Sequence, residues 1–170
     1  MKSCCFIGHR NVQETAELYE KIKQTLLRLI QEEDVVFLFF GSKSSFDSLC
    51  LKVATEIKSI YPHIQRVYVR SCYQTIESWY RKSLLKEYDD TIIPDGVADA
   101  KQASYVKRNR AMIDASDFCV FYYDEDYQPP IKKPYKRSFY TYRPNSGTKV
   151  AYEYATKKKK QTINLCELAM

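Results

Sequence analysis

The 170-residue chain contains only two histidines, His9 and His63, and no Cys-x-x-Cys motif. Its six cysteines are scattered apart from the adjacent pair Cys4 and Cys5, so the spacing of a four-ligand zinc site is absent. Most of them lie within apolar runs, which predicts small buried side chains. We therefore expect neither a metal ion nor another cofactor.

Long hydrophobic runs are also absent. The longest, at residues 35–40, is far too short to span a bilayer, so no membrane partner is expected. The first ten residues lack the long apolar region and the cleavage site that are typical of a signal peptide. Together these absences predict a cytoplasmic protein.

Two common phosphate-binding motifs are missing as well. The segment GSKSSFD at residues 41–47 follows an apolar run, but it lacks the glycine, lysine and serine or threonine spacing of a P-loop. No G-x-G-x-x-G fingerprint occurs either. A nucleotide site in this chain would therefore need a different arrangement of hydrogen-bond donors.

The apolar residues present form strand-like and helix-like patterns in alternation. Regular alternation of this kind predicts a single Rossmann-like α/β domain over residues 1–170, with a mostly parallel sheet and helices on both faces. The run at 35–40 is expected to be a strand that is buried on both faces. Strands are predicted at 3–8, 35–40, 65–70, 89–94, 117–123 and 161–165, and helices at 14–31, 45–60, 74–88, 99–116 and 146–160.

Residues 124–145 interrupt this alternation. They hold four of the six prolines, together with five cations, four tyrosines and one phenylalanine. An irregular segment of this length is usually functional or disordered. Because it follows a predicted central strand, where open α/β sheets bind ligands, we interpret it as a lid or an interface arm. A mobile surface loop is the alternative.

Small, hydroxylated or cationic residues follow four of the predicted strands. Since parallel strands end at the same edge of a sheet, these residues are expected to converge on one ligand. Their chemistry predicts an anionic ligand, and the net charge of +6 is compatible with one. The residues are Gly8, His9 and Arg10, then 41–45, then Arg70 and Ser71, and finally Ser146, Gly147 and Thr148.

Two helix ends carry groups suited to anions. Ser146, Gly147 and Thr148 open a predicted helix, whose first N–H groups have no partner within the helix and can bind phosphate. An ordinary serine or threonine cap is the alternative. The lysines at 157–160 end the same helix, where cations complement the helix dipole. A nucleic-acid patch is the alternative for these lysines.

The segment KRNR at 107–110 lies on another predicted helix. Arg108 and Arg110 cannot both face the core, and an arginine fork matches phosphate oxygens in two parallel hydrogen bonds. Asn109 between them can contact a base or a ribose. A solvated basic face is the alternative. His9, at a strand end, is interpreted either as a proton donor or as a residue that orients the ligand.

The motifs CCFIGHR, FD at 46–47, KRNRAMIDASD and SGT resemble the SLOG superfamily, over nearly the whole chain. This group contains Rossmann-like domains related to the DNA-processing Smf/DprA proteins and to the lonely-guy phosphoribohydrolases. The chain is most similar to a short, stand-alone bacterial branch. The resemblance implies a nucleotide or nucleotide-derived ligand at the strand ends, and it suggests homodimers.

The resemblance also implies which residues bind the ligand. Ser42 replaces a glycine of the family loop, and Asp47 is expected to accept hydrogen bonds from the backbone of that loop. The residues that match the family's motifs are Gly8, His9, Arg10, Gly41, Phe46, Asp47, Arg108, Asn109, Arg110, Ser146, Gly147 and Thr148. The predicted ligand-binding set consists of these residues without Phe46 and with Ser42 added.

The leading hypothesis is a protein that senses or sequesters a nucleotide-derived ligand. One alternative is nucleotide N-glycoside hydrolysis, with His9 and Glu153 as candidate catalytic residues. Glu153 follows Thr148 by five residues rather than three, which turns its side chain by about 200° from the family position. A second alternative is single-stranded nucleic-acid binding through the aromatic residues of 124–145.

Overall fold

The computed structural model describes residues 1–72, 77–129, 131 and 146–168, with the backbone alone at Glu77 and Gln102. Strands and helices alternate along these residues, as the apolar periodicity predicts. The strands are β1 Lys2–Gly8, β2 Val35–Phe40, β3 Gln65–Val69, β4 Asp90–Ile92, β5 Phe118–Tyr122 and β6 Gln161–Asn164. The helices are α1 Ala16–Glu33, α2 Ser45–Lys58, α3 Glu77–Leu84, α4 Ser104–Ala115 and α5 Gly147–Lys157, with a 3₁₀ helix at Ala98–Ala103.

The strands form one parallel sheet in the order β4-β3-β2-β1-β5-β6. From β1 the chain builds the sheet outward in one direction through β2, β3 and β4. It then builds in the other direction through β5 and β6. The reversal next to β1 is a topological switch point, where the carboxyl ends of the strands open a crevice. The predicted Rossmann-like α/β class is confirmed.

Helices cover both faces of the sheet, and β1 is buried between them. Cys4 and Phe6 pack with apolar residues of α1 and α2, whereas Cys5 and Ile7 pack beneath α4 and α5. The prediction that β2 is buried on both faces is wrong at Phe37, whose side chain is 38% exposed. Phe37 lies on the face of α4 and α5, and these helices pack mainly against β1 and β5.

The lysine run at 157–160 ends α5 and also contacts the end of α4. Lys159, with a φ of 55°, ends the helix in the left-handed region. Nζ of Lys160 donates to the carbonyl oxygens of Asp114 (3.0 Å) and Ser116 (2.9 Å). A cation at the C-terminal end of α4 is stabilising there. The run was predicted to complement the dipole of its own helix, and Lys157 does lie in the last turn of α5, but the cation with these hydrogen bonds caps the neighbouring helix.

Three details differ from the sequence-based expectations or go beyond them. The predicted helix at 99–116 is divided, because residues Ala98–Ala103 form a 3₁₀ segment with a kink at Lys101 (φ 50°), and α4 begins only at Ser104. Four of the cysteines are buried as predicted, whereas Cys72 and Cys166 are partly exposed. Among the described residues, no helix has both the length and the apolarity needed to cross a membrane.

The predicted insertion at 124–145 is only partly within the described residues. Its first residues, 124–129, follow β5 and contribute to the site described below, and residue 131 is described by itself. Residues 130 and 132–145 lie outside the described residues. The interpretation of this segment as a lid or an interface arm therefore stays a prediction, as do the boundaries of a single domain.

Candidate ligand-binding site

A cleft of about 950 Å³ lies at the carboxyl edge of the sheet. Segments that follow β1, β2, β3 and β5 line it, together with the cleft-facing side of α4 and the start of α5. The sheet therefore brings together the strand ends that the sequence singled out. Predicted site residues that line the cleft are Gly8, His9, Arg10, Gly41, Ser42, Asp47, Arg108, Asn109, Ser146, Gly147 and Thr148.

Two of the predicted site residues lie elsewhere. Arg110 is exposed, and its guanidinium lies 5.1 Å from the ring centre of Tyr154. It follows Arg108 by two residues on α4, and this spacing directs the two side chains to different sides of the helix. Glu153 is exposed on α5 and does not line the cleft. The expectation that spacing removes Glu153 from the family's catalytic position agrees with this placement.

His9 links three segments at the floor of the cleft. Its side chain is buried, and its Nε2 accepts a hydrogen bond from the backbone N–H of Asp124 at 3.0 Å. Nε2 also lies 3.3 Å from the carbonyl oxygen of Asp124, but the shorter contact with the N–H group requires an Nε2 without a proton. We therefore assign the proton of the neutral ring to Nδ1, which lies 3.3 Å from Oγ of Ser146. The ring also stacks on Tyr127, with 3.9 Å between ring centres. Burial lowers the pKa of His9, which favours this neutral form.

The hydrogen bonds of Ser146 leave its own proton available. Ser146 caps α5, and its Oγ accepts from the backbone N–H of Lys149 at 3.4 Å. With the Nδ1 proton of His9 directed at the same oxygen, the hydroxyl hydrogen of Ser146 is free to be donated to a ligand. His9 is thus placed to orient a donor rather than to act on the ligand directly.

The start of α5 also offers backbone donors. Within the described part of the chain, no hydrogen bond occupies the N–H groups of Gly147 and Thr148. A Cβ atom built on Gly147 would have no heavy atom within 4 Å, so the space beside this backbone is open. The helix dipole adds positive potential at the same place.

The loop after β2 is arranged differently, because its donors bind within the protein. Oδ2 of Asp47 accepts from the backbone N–H of Ser42 at 2.9 Å and from the Ser42 hydroxyl. The Ser44 hydroxyl caps α2, and Ser45 donates from both N and Oγ to the carbonyl of Arg10. The expected role of Asp47 in holding this loop is observed, and the N-terminus of α2 is less available to an anion than that of α5.

Positive charge dominates the walls of the cleft. Among the described residues that line it, Arg10, Lys43, Arg70 and Arg108 are cations, whereas Asp47 is the only acidic residue. Arg70 and Arg108 are each only 6% exposed. Burial of a charge is costly unless a partner of opposite charge or several hydrogen bonds compensate it, and the described contacts of the Arg108 guanidinium are with the neutral side chains of Asn109 and Tyr105. The cleft is therefore suited to an anionic ligand.

Arg108 occupies a fixed position between α4 and the loop after β2. Its Nη2 donates to Oδ1 of Asn109 at 3.0 Å, and its guanidinium lies 5.4 Å from the ring centre of Tyr105. A Cβ atom on Gly41 would lie 2.8 Å from its Nε, so only glycine leaves room for the fork at this turn. Burial lowers the pKa of Arg108, but an arginine remains charged near neutral pH.

Sequence reasoning did not assign four tyrosines to this site. Tyr105 precedes Arg108 by three residues on one face of α4, and this spacing could have indicated it. Tyr127 was considered only for nucleic acid, and Tyr68 and Tyr80 reach the cleft through tertiary packing. The tyrosines that line the cleft are Tyr68, Tyr80, Tyr105 and Tyr127.

The fold and the site define a Rossmann-like α/β protein with a cationic cleft at the carboxyl ends of its strands. The model of the YspA SLOG family (YpsA) matches residues 6–152. The chain belongs to this SLOG family, and the resemblance noted from its motifs is confirmed. All residues that line the cleft fall within the matched range. A search of curated proteins finds no match to the chain.

Proposed function

We propose that this protein binds a nucleotide or a nucleotide derivative in the cleft, for sensing or sequestration. The proposal rests on one observation, which is that hydrogen-bond donors from several segments line the same cleft. Among the described residues, two N–H groups at the start of α5 have no hydrogen-bond partner, two buried arginines line the same cleft, and Asp47 is its one carboxyl group. Membership of the SLOG family is consistent with nucleotide-related binding.

Different parts of the cleft suit different parts of a nucleotide. Phosphate oxygens would bind the N–H groups of Gly147 and Thr148, the hydroxyl of Ser146 and the fork of Arg108. The base or the ribose would contact the tyrosines, since aromatic rings stack on bases of any sequence. On the other walls, Gly8, Arg10, Gly41 and Asn109 are proposed to contact the ligand. His9, Ser42 and Asp47 are proposed to position the groups that do, since His9 contacts Ser146 and Asp47 holds the loop after β2.

Neither alternative function gains support from a particular contact. Of the residues that the structure describes, Asp47 alone is acidic and lines the cleft, and one of its oxygens already holds the loop after β2. The nucleic-acid hypothesis depends mainly on aromatic residues at 135–142, which lie outside the described residues. Tyr127, which is described, stacks on His9.

Calorimetric titration tests the proposal. We expect at least one of AMP, 3′,5′-cyclic AMP and ADP-ribose to bind in the micromolar range, and adenosine to bind at least about tenfold more weakly because it lacks phosphate. Affinity should fall only moderately with salt, whereas a steep fall is typical of a nucleic-acid surface. Absence of binding by all three nucleotides at millimolar concentration would contradict the proposal.

A further inference from the structure

Asp47 has an oxygen atom that accepts no hydrogen bond from the residues that the structure describes. The residue is 3% exposed and lines the cleft. Its Oδ2 accepts two hydrogen bonds from Ser42, whereas its Oδ1 is buried and accepts none within the described residues. A buried, ionised carboxylate with an unused oxygen is costly, because water no longer solvates the charge.

The charge of Arg108 acts on Asp47, yet Arg108 donates no hydrogen bond to this carboxylate. Its Nε and Nη2 donate to Asn109, and neither oxygen of Asp47 accepts from it. The attraction of Arg108 only partly offsets the effect of burial, and the pKa of Asp47 is raised to about 7. Asp47 is therefore close to the balance between its two protonation states at neutral pH.

We propose that Asp47 takes up one proton from solvent when an anionic ligand binds against Arg108, so that ligand affinity depends on the charge of Asp47. The inference rests on the proposed function of the cleft. An incoming anion interacts with Arg108 and repels the carboxylate, so the ionised form of Asp47 becomes less favourable. Protonation on Oδ1 removes that repulsion, while Oδ2 keeps its bonds to Ser42. Asp47 is thus a positioning residue that acts through Arg108 and the loop after β2.

The other titratable groups facing Asp47 do not change charge in the same way. Burial raises the pKa of Tyr68 on β3, of Tyr88 before β4 and of Cys50 on α2, which keeps all three neutral around pH 7. Burial also lowers the pKa of His9, and the described contacts of its ring are with Asp124, Ser146 and Tyr127 rather than with Asp47. The remaining charged groups of the cleft are the cations Arg10, Lys43 and Arg70.

The direction of the pH dependence follows from a comparison of the pKa of Asp47 in the free protein with its pKa in the ligand-bound protein. A bound anion raises the pKa of Asp47 above its value in the free protein. Affinity is therefore greatest below the free pKa, and it falls by up to about tenfold per pH unit between the free and the bound pKa. At pH 7.5, the protein should take up about half a proton or more for each ligand molecule that binds.

Calorimetry with ADP-ribose and with sulfate provides the test, because the charge of both probes is constant between about pH 6.5 and pH 9. Titration at pH 7.5 in two buffers of different ionisation enthalpy measures the proton uptake. In the Asp47→Asn variant, whose amide oxygen can still accept from Ser42, we expect binding without proton uptake and with little dependence on pH.

Each result supports or overturns the inference. Binding to the wild-type protein without proton uptake, or equal uptake in Asp47→Asn, would overturn it and leave the proposed function intact. No binding of either probe at millimolar concentration would overturn the inference, and it would overturn the proposed function as well only if AMP and 3′,5′-cyclic AMP also fail to bind. A carbon NMR titration of the wild-type Asp47 carboxyl group, with and without ADP-ribose or sulfate, keeps the test valid if the variant does not fold. We expect binding to raise this pKa by about one unit or more, and an unchanged pKa in a probe-bound protein would overturn the inference.

Discussion

Replacement of Gly8 by alanine is expected to lower the free energy of unfolding by about 3 kcal/mol, because the added methyl group overpacks the core. A Cβ atom at Gly8 would lie 2.3 Å from Cδ1 and 2.5 Å from Cγ of Phe46. Phe46 is fully buried in the first turn of α2 and cannot move without disturbing that helix. Urea denaturation, read as the shift of the midpoint at constant slope, measures the effect.

A matched glycine in the same cleft serves as the control. Gly147→Ala adds its methyl group to open space, and its stability should remain within about 0.5 kcal/mol of the wild type. The double variant Gly8→Ala/Phe46→Leu should be less destabilised than the sum of its single variants, because the two side chains compete for one volume. If Gly8→Ala were as stable as the wild-type protein, this result would contradict the described packing of β1 against α2.

Replacement of Arg108 by methionine is expected to weaken the binding of phosphorylated ligands by about 100-fold, the cost of losing charge-assisted hydrogen bonds. Methionine has a similar length and needs no charged partner, so the fold should persist. Arg108→Lys should recover only part of the affinity, because lysine keeps the charge but not the planar fork. Calorimetry with whichever of AMP, 3′,5′-cyclic AMP and ADP-ribose binds the wild type measures these differences, and thermal unfolding checks the fold.

Arg110→Met is the control for this series. It removes the same charge two residues further along α4, from an exposed side chain outside the cleft. We expect its affinity to stay within about twofold of the wild type after correction for the weak, salt-sensitive effect of a distant charge. Equal losses in the two variants would mean that net charge, rather than the fork of Arg108, determines binding.

The sequence was sufficient to predict the class of fold and the edge of the sheet that carries the site. Apolar periodicity located the strands, and parallel strands necessarily place the residues after Gly8, Phe40 and Val69 at one edge. Spacing alone also indicated that Glu153 would not occupy the family's catalytic position. These features depend on local pattern and on topology, and both can be read from one chain.

Other features of the site depend on contacts between distant segments. The KRNR motif did not show which arginine faces the cleft, because the rotation of α4 is determined by the burial of Met112 and Ile113. The link from His9 to Ser146 joins residues that are far apart in sequence, and it could not be predicted. The occupied donors of the loop after β2 likewise follow from the way Asp47 folds back on Ser42.

Mass spectrometry of the compound released by heat from purified protein tests the central claim most directly, because it requires no choice of ligand. We expect wild-type protein to release a phosphorylated, nucleotide-derived compound, and Arg108→Met protein purified in parallel to release little or none. Release of a stoichiometric compound without phosphate, or of equal amounts of one compound from both proteins, would contradict the claim that this cleft binds anionic nucleotides.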